Sequence, residues 1–509
     1  MIPLIILLLF VVAFYKYATR NHDYWTKRNV KHDPPLPLFG NHLRNQLLIK
    51  SVAEIATEFY NKYPNENVVG YYKGTQPVLY IRDLDLVKQV ITTDFAAFYP
   101  RGLGRSEKLE PIFANLFHAE GDLWRLLRQR LTGAFTTAKL KAMFPLVVRC
   151  AERLQDLLGE GGDFDARDVM ARFTTEFIGA CGFGIEMNTI NNERSQFREL
   201  GKRIFTRSIK TLILLPIVEI FPELKDKFRL DDTTLERNIT EIVQGIRKQR
   251  NYKPIGRNDF IDLLLELEAK GKIQAESIEK KNPDGTPVMV EMEMDLPCMV
   301  AQVFVFFAAG FETSSSATSF TLHQLAYNPD VQRRVQQNID EVMEKHNNKF
   351  SYAAISEMIL LDMAFKEGMR MFPSLATLHR ICMRKYTLPG TDITIDPGVN
   401  IIVPVQGIHM DEKYYDNPQE FRPERFTPEE VQKRHHYAYL PFGEGPRMCI
   451  GAKLGQMQSL AGLASVLHKF TVEPAPTTKR VPTVNHKSNV VQGIEGGLPL
   501  RFKLREHTK

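Results

Sequence analysis

The chain has 509 residues, 43% hydrophobic and 25% charged, with no low-complexity tract and no internal repeat; this is the composition of a folded globular protein. Its 66 Lys and Arg against 60 Asp and Glu leave a net charge of +6. The cations are scattered rather than clustered, so nucleic-acid binding has no support, while a mildly basic face toward anionic lipid or an acidic protein stays open. Five cysteines, none in a C-x-x-C pair, argue against a disulfide framework and place the folded body in a reducing compartment.

Residues 1–15 (MIPLIILLLFVVAFY) are almost wholly apolar, and Lys16, Arg20, Lys27, Arg28 and Lys31 follow. A run this short suits either a signal-peptide core or a short anchor. No basic residue precedes it, and Tyr15-Lys16-Tyr17 is too bulky for a cleavage site. The reading is a retained anchor over residues 1–20. Positive charge on its C-terminal flank keeps that side cytosolic and the N-terminus luminal. With Lys16 and Arg20 snorkelling, roughly 20 residues reach across a bilayer. Residues 21–41 form a basic, proline-rich linker; its DPPLPLFG stretch is neither helix nor central strand, and serves as a stiff strut or an ordinary surface connection.

The body, residues 42–509, begins with strand-like alternation at 68–72 and 77–81 around a Lys73-Gly74-Thr75 turn. Asp83 caps a helix running to about Thr92. From 122 to 222 the apolar spacing is mainly helical, in several segments. Residues 212–221, with Pro216, are apolar enough for a second membrane contact or for buried core. Residues 280–295 are polar, with Pro283-Asp284-Gly285 as a turn. A long helix follows over 297–328. Beyond Pro373 come short strands and loops such as 401–405. The fold class is mainly α with small β-sheets (α+β). No G-x-G-x-x-G follows a strand, so a Rossmann dehydrogenase is not supported.

Four motifs carry chemistry. In Phe442-Gly443-Glu444-Gly445-Pro446-Arg447-Met448-Cys449-Ile450-Gly451, two glycines and a proline make a tight loop before a helical stretch starting near Ile450. A cysteine there sits near a helix N-terminus, where amides and dipole stabilise a thiolate. A thiolate on haem iron pushes electron density through the metal and favours O–O cleavage. Arg447 is placed to pair with a haem propionate. Glu367 and Arg370 share one helix face and form a charge-assisted pair; Arg425 in Pro423-Glu424-Arg425-Phe426 offers a second arginine. Within the long helix, Ala308-Ala309-Gly310-Phe311-Glu312-Thr313-Ser314 contains a glycine that costs about 1 kcal/mol against Ala, and small residues that permit a local opening and close approach of a ligand. Glu312-Thr313 sets a carboxylate beside a hydroxyl, as a proton relay to bound oxygen needs; a threonine bonding back to its own helix is the bland counterpart. Val305, Ala308, Ala309, Glu312 and Thr313 share a face. Trp124 and Arg128, four apart, share another and both donate hydrogen bonds.

Taken in order, the anchor, proline segment, W-x-x-x-R, A-G-x-E-T, E-x-x-R, P-E-R-F and cysteine loop resemble the cytochrome P450 family over nearly the whole chain. The family signature Phe-x-x-Gly-x-Arg-x-Cys-x-Gly is met at Phe442, Gly445, Arg447, Cys449 and Gly451. Residues 309–315 (AGFETSS) and Ala301-Gln302 are most similar to insect microsomal enzymes of the family-6 type. The resemblance implies the P450 fold and a haem b with Cys449 as axial ligand of the iron. It implies Phe442 at the cofactor and Trp124, Arg128, Arg380 and Arg447 at its propionates. It implies Glu312 and Thr313 as the acid–alcohol pair, and Glu367, Arg370 and Arg425 as a buried structural triad. Substrate contacts are expected at Phe117, His118, Val305, Ala308, Ala309, Leu375 and Ala376. The implied reaction inserts one atom of O2 into a lipophilic substrate, a foreign compound such as a plant toxin or insecticide. Electrons would come from NADPH through a separate reductase, with cytochrome b5 as a further donor, at the endoplasmic reticulum membrane with the body on the cytosolic side. Two alternatives are a haem-thiolate isomerase or dehydratase acting on a peroxide without a reductase, and a non-catalytic haem sensor. Glu312-Thr313 argues against the first, and a sensor needs neither relay nor membrane strut.

Overall fold

A single helix, Leu296–Ala326, organises the molecule in this computed structural model. The structure describes residues 2–506 apart from 186, 188, 191–195, 206–207, 231–232, 258 and 489; residue 1 and residues 507–509, the outer ends of the expected anchor and body, lie outside the described residues. Asp295 starts the long helix by accepting from the Cys298 amide, and Pro297 fills its first turn. From Met299 to Ala326 every residue is buried except Val305, Phe306, Ala309, Gly310, Glu312 and Thr313. That gap in an otherwise all-round buried helix marks where it borders a cavity. The helix is unbroken α throughout, so the local opening expected at Gly310 is not seen. Gly310 is needed for packing instead: a Cβ there would lie 2.2 Å from Ile178 Cδ1.

Helices Ala166–Ile178, Ile359–Met371 and Ala452–Lys469 pack around the long helix, and helix Thr137–Leu158 packs behind the first and last of them, in one hydrophobic core. A four-stranded sheet stands beside it in the order Val68–Lys73, Gln76–Ile81, Asn400–Val403, Leu378–Ile381. Its outer pairings are antiparallel and its central one, Val78 to Asn400, is parallel. A three-stranded sheet joins Phe470–Pro474, Pro499–Leu504 and Gly161–Asp165. The polar 280–295 stretch is part of a long hairpin, Lys272–Lys281 with Pro287–Glu293, turning at the expected Pro283-Asp284-Gly285.

The N-terminal helix Ile2–Ala18 is apolar and exposed along nearly its whole length. The segment after it does not hang free. Trp25 is fully buried, its indole N–H donating to the Tyr71 carbonyl at 3.0 Å, and its ring covers Gly70 so closely that a Cβ there would clash. At the C-terminal end of helix Ile2–Ala18, Tyr17 stacks on Phe221 and Arg20 pairs with Glu223 at 2.7 Å. This brings the N-terminal helix beside helix Ile209–Ile220, which has one buried face and one outward apolar face. Thr211, Val218 and Ile220 are buried, while Ile209, Ile213 and Ile217 point outward.

Candidate active site

The long helix, the cysteine loop, helix Gly121–Leu131 and the edge of the four-stranded sheet enclose a cavity of about 1220 Å³. Ordinary ligand pockets hold roughly 300–1,000 Å³, so there is room for a flat cofactor and a substrate together.

The cysteine loop is shaped by its glycines. Gly443 and Gly445 have φ of +67° and +74°, and a Cβ on Gly445 would lie 2.1 Å from the Ile91 carbonyl oxygen. The Cys449 amide closes the loop on the Phe442 carbonyl at 2.9 Å, and the Met448 amide on Gly445 at 3.0 Å. The following helix starts at Ala452, two residues later than the sequence suggests. Cys449 is open to the cavity, yet protein surrounds it at short range. That burial pushes its thiol up; the Gly451 amide hydrogen bond and the charges of Arg101 and Arg128 pull it back.

Four arginines converge on the same end of the cavity. Arg447 donates to the carbonyls of Tyr99 at 3.0 Å and Ala119 at 2.9 Å, and lies 4.3 Å over the Trp124 ring. Arg101 donates to Phe117 and Arg447 carbonyls, Arg128 to Met448 and Arg380 to His379, at 2.7–2.9 Å. Every partner is a backbone carbonyl: among the described residues none of the four forms an ion pair with a carboxylate. Burial, then mutual repulsion, push Arg447 down to about 8 and Arg380 to about 9; burial, with repulsion from Arg128, pushes Arg101 to about 10. A guanidinium does not give up its proton in proteins, so the repulsion is a standing demand for anionic charge. Arg447 Nη1 and Arg380 Nε are buried with no partner. A thiol beside the spare donors of an arginine cluster held by backbone carbonyls rather than by ion pairs fits a haem with its two carboxylates.

At the far side of the long helix's open face, Thr313 Oγ1 donates back to the Ala309 carbonyl at 2.7 Å, and Ser374 Oγ donates to the Thr313 carbonyl at 3.0 Å. Glu312 is ion-paired with Arg167, from helix Ala166–Ile178. Both Glu312 and Thr313 border the cavity, as do Phe117, His118, Val305, Ala308, Ala309, Leu375 and Phe442. Ala376 does not. It is 5% exposed, and its carbonyl accepts from the Gln406 amide at 3.1 Å, so the chain has already turned toward the next element. His118 packs edge-on to Phe113 and Phe117, and burial pushes it down to about 3, which keeps it neutral.

Away from the cavity, Glu367 and Arg370 are fully buried and joined by two hydrogen bonds of 2.7 and 2.9 Å. Arg425 Nε reaches the same carboxylate at 3.2 Å, and the Arg422 amide at 3.0 Å. Arg101 and Arg167 carry no sequence motif, and sequence reasoning missed both.

The cytochrome P450 family profile matches residues 31–499, and the chain belongs to that family. It is a cytochrome P450 monooxygenase, with the helix-rich P450 fold. Among its relatives are cytochrome P450 6B2 of Helicoverpa armigera, 37% identical over 502 residues and 97% of each chain, and probable cytochrome P450 6a18 of Drosophila melanogaster, 37% identical over 495 residues and 95% of each. Cytochrome P450 6a2 of Drosophila melanogaster is 36% identical over 522 aligned positions, 99% of this chain and 100% of the relative.

Proposed function

We propose that this enzyme oxidises lipophilic foreign compounds, such as plant toxins or insecticides, at the endoplasmic reticulum membrane, with Cys449 as axial thiolate of a haem b. Electrons come from NADPH through a separate reductase, with cytochrome b5 as a further donor. The observation that carries the reading is what the cavity gathers on its walls. It sets Cys449 among four arginines that have no carboxylate partner among the described residues, and it is lined as well by Phe113, Phe117, Val305, Ala308 and Leu375.

When bound, the haem supplies the activation of dioxygen that puts one oxygen atom into the substrate and releases the other as water. The chain's own residues do the remaining work. Arg128, Arg380 and Arg447, with Trp124 and Phe442 on the same cavity and Arg101 added by the geometry, would hold the haem's carboxylates. The aromatic and small side chains exclude water and leave shape, rather than hydrogen bonding, to select the substrate. Thr313, whose hydrogen is committed to Ala309, keeps its lone pairs for a proton or a water in the cavity. Glu312 reaches that relay only by exchanging Arg167 for a water or for Thr313, so the ion pair holds the acid in reserve. Glu367, Arg370 and Arg425 hold the fold behind the cofactor.

The anchor helix of 17 residues spans about 26 Å at 1.5 Å per residue, close to the roughly 30 Å of bilayer hydrocarbon, with Lys16 at its cytosolic end. Ile209, Ile213 and Ile217 make a second apolar contact beside its root, and the linker from Trp25 onward fixes the pose of the body. The foreign-compound assignment rests on the apolar lining and on the likeness to insect family-6 enzymes.

The test is reconstitution with NADPH and a reductase against a panel of lipophilic compounds, after a carbon monoxide spectrum of the reduced protein. A thiolate-type spectrum and NADPH-dependent oxygenated products are expected. Turnover of a peroxide with no NADPH use would replace this reading by an isomerase or dehydratase. A histidine-type spectrum would remove Cys449 from the iron.

A further inference from the structure

The hairpin Lys272–Lys281/Pro287–Glu293 borders no part of the cavity, yet its first strand lies along the helix that carries Trp124 and Arg128. Ile273, Ala275 and Ser277 face inward and are buried, so the strand's register against the body is fixed. From there it grips the helix from end to end. Arg130 Nη2 donates to the Gln274 carbonyl at 2.6 Å, and Arg125 faces Glu276 at 3.6 Å. Asp122 accepts from Ser277 Oγ at 2.8 and 2.9 Å and from the Ile278 amide at 2.8 Å. At Gly121, φ +53°, a Cβ would sit 2.2 Å from Glu279 Oε1, so the carboxylate reaches past the helix N-terminus only because a glycine stands there. It ends on Tyr99, whose hydroxyl donates to Glu279 Oε1 at 2.8 Å. The carbonyl of that same Tyr99 accepts from Arg447 Nε at 3.0 Å.

The strand therefore touches the outer side of the cofactor's cation cluster by two routes, one through helix Gly121–Leu131 to Trp124 and Arg128, the other through Tyr99 to Arg447. The cluster needs such support. Its guanidiniums repel one another, and backbone carbonyls and the rings of Trp124 and Phe117, rather than carboxylates, hold them in place, so the elements that carry them are pushed apart from within.

We propose that strand Lys272–Lys281 is a brace for cofactor retention, with Ser277 and Glu279 as positioning residues that act through Asp122 and Tyr99 on Trp124, Arg128 and Arg447. Burial and Glu279 both raise the Tyr99 hydroxyl, which keeps it a donor in the second route. The hairpin's tip is not part of the brace: Asp284 bonds only to Thr286 within the turn.

The experiment measures haem loss from the full-length ferric holoenzyme in detergent to excess apomyoglobin, for Tyr99→Phe, Ser277→Ala, Glu279→Gln and the tip control Asp284→Ala. The urea midpoint of each is followed by circular dichroism. Tyr99→Phe and Ser277→Ala should each release haem roughly tenfold faster, about 1.4 kcal/mol, with the urea midpoint lowered by no more than that lost affinity accounts for and the control unchanged. Tyr99→Phe with Glu279→Gln should lose no more than the stronger single change, because both cut one link. Unchanged haem loss in a thiolate-ligated protein overturns the brace alone, as does a fall in the urea midpoint larger than the lost haem affinity explains. A wild-type protein lacking the thiolate-type spectrum overturns the Cys449 assignment, and the brace with it.

Discussion

Replacing Glu367 by alanine should cost this fold more than almost any other single change outside the cavity. Its carboxylate is fully buried and receives four donors: two from Arg370, one from Arg425 and the Arg422 amide. Without it, Arg370 keeps the carbonyls of His409 and Pro418 at 2.8 Å, but its positive charge stays fully buried. Breaking a buried pair from one side costs about 3–5 kcal/mol, against total stabilities of roughly 5–15 kcal/mol for folded domains. A loss near 4 kcal/mol shifts the folded-to-unfolded ratio by about a thousandfold. Arg425→Ala should do less. That residue makes one 3.2 Å contact to Glu367, and its other carboxylate partner, Asp416, is solvent-exposed. The assay is the urea midpoint by circular dichroism, with yield of haem-loaded protein, for Glu367→Ala, Arg370→Ala and Arg425→Ala. Asp330→Ala, from the exposed pair with Arg333, serves as comparison and should match wild type. If Glu367→Ala also matches wild type, the argument from stranded charge is wrong.

Cys449→Ser should abolish the thiolate-type carbon monoxide spectrum while leaving the far-ultraviolet circular dichroism in place; a retained spectrum would exclude Cys449 as the ligand. Thr313→Ala should uncouple oxygen use from product, with peroxide release rising as a share of NADPH consumed, and unchanged coupling would remove the relay role. His409 is buried between the Arg370 carbonyl and the Leu440 amide and is pushed down to about 3 by burial, then by Arg370. The unfolded chain, with His near 6.5, takes up the proton first, so this contribution is whole above pH 6.5 and is lost as pH falls toward 3, by up to about 1.4 kcal/mol per pH unit. His409→Asn should flatten the fall of the thermal midpoint below pH 6.5, and an identical slope would exclude His409 as a cause. In sealed microsomes, added protease should digest the body, since only the anchor is shielded; a protected body would reverse the topology.

What could be read from the sequence was whatever its physics kept local. The cysteine loop needs Gly443 and Gly445 at positive φ within ten residues, and the Glu367–Arg370 pair needs only one helical turn, so both show as patterns. Of the hairpin only the turn was legible: Ile273, Ala275 and Ser277 alternate with polar residues on one side of Pro283-Asp284-Gly285, and Val288, Val290 and Met292 on the other, but the abundance of charge masked the period and the strands were missed. Arg101 was not legible, because its role depends on Arg447 lying 346 positions away. Nor was Arg167, 145 positions from Glu312. Ala376 was misplaced because Leu375 and Ala376 are adjacent in a chain where neighbours face opposite ways. Gly310 was singled out for the approach of a ligand, and the constraint the sequence could not show is Ile178, packed against it from another helix.

The four cavity arginines come from four separate stretches: the loop at 101, the helix at 128, the strand at 380 and the cysteine loop at 447. A dianion among them ties all four stretches together at once, and by linkage its binding energy becomes folding energy. The cell's supply of haem then acts on this enzyme as a chaperone would, setting how much of each synthesised batch escapes degradation. Iron starvation would register first as a drop in the amount of this protein, and only afterwards as a drop in its turnover per molecule.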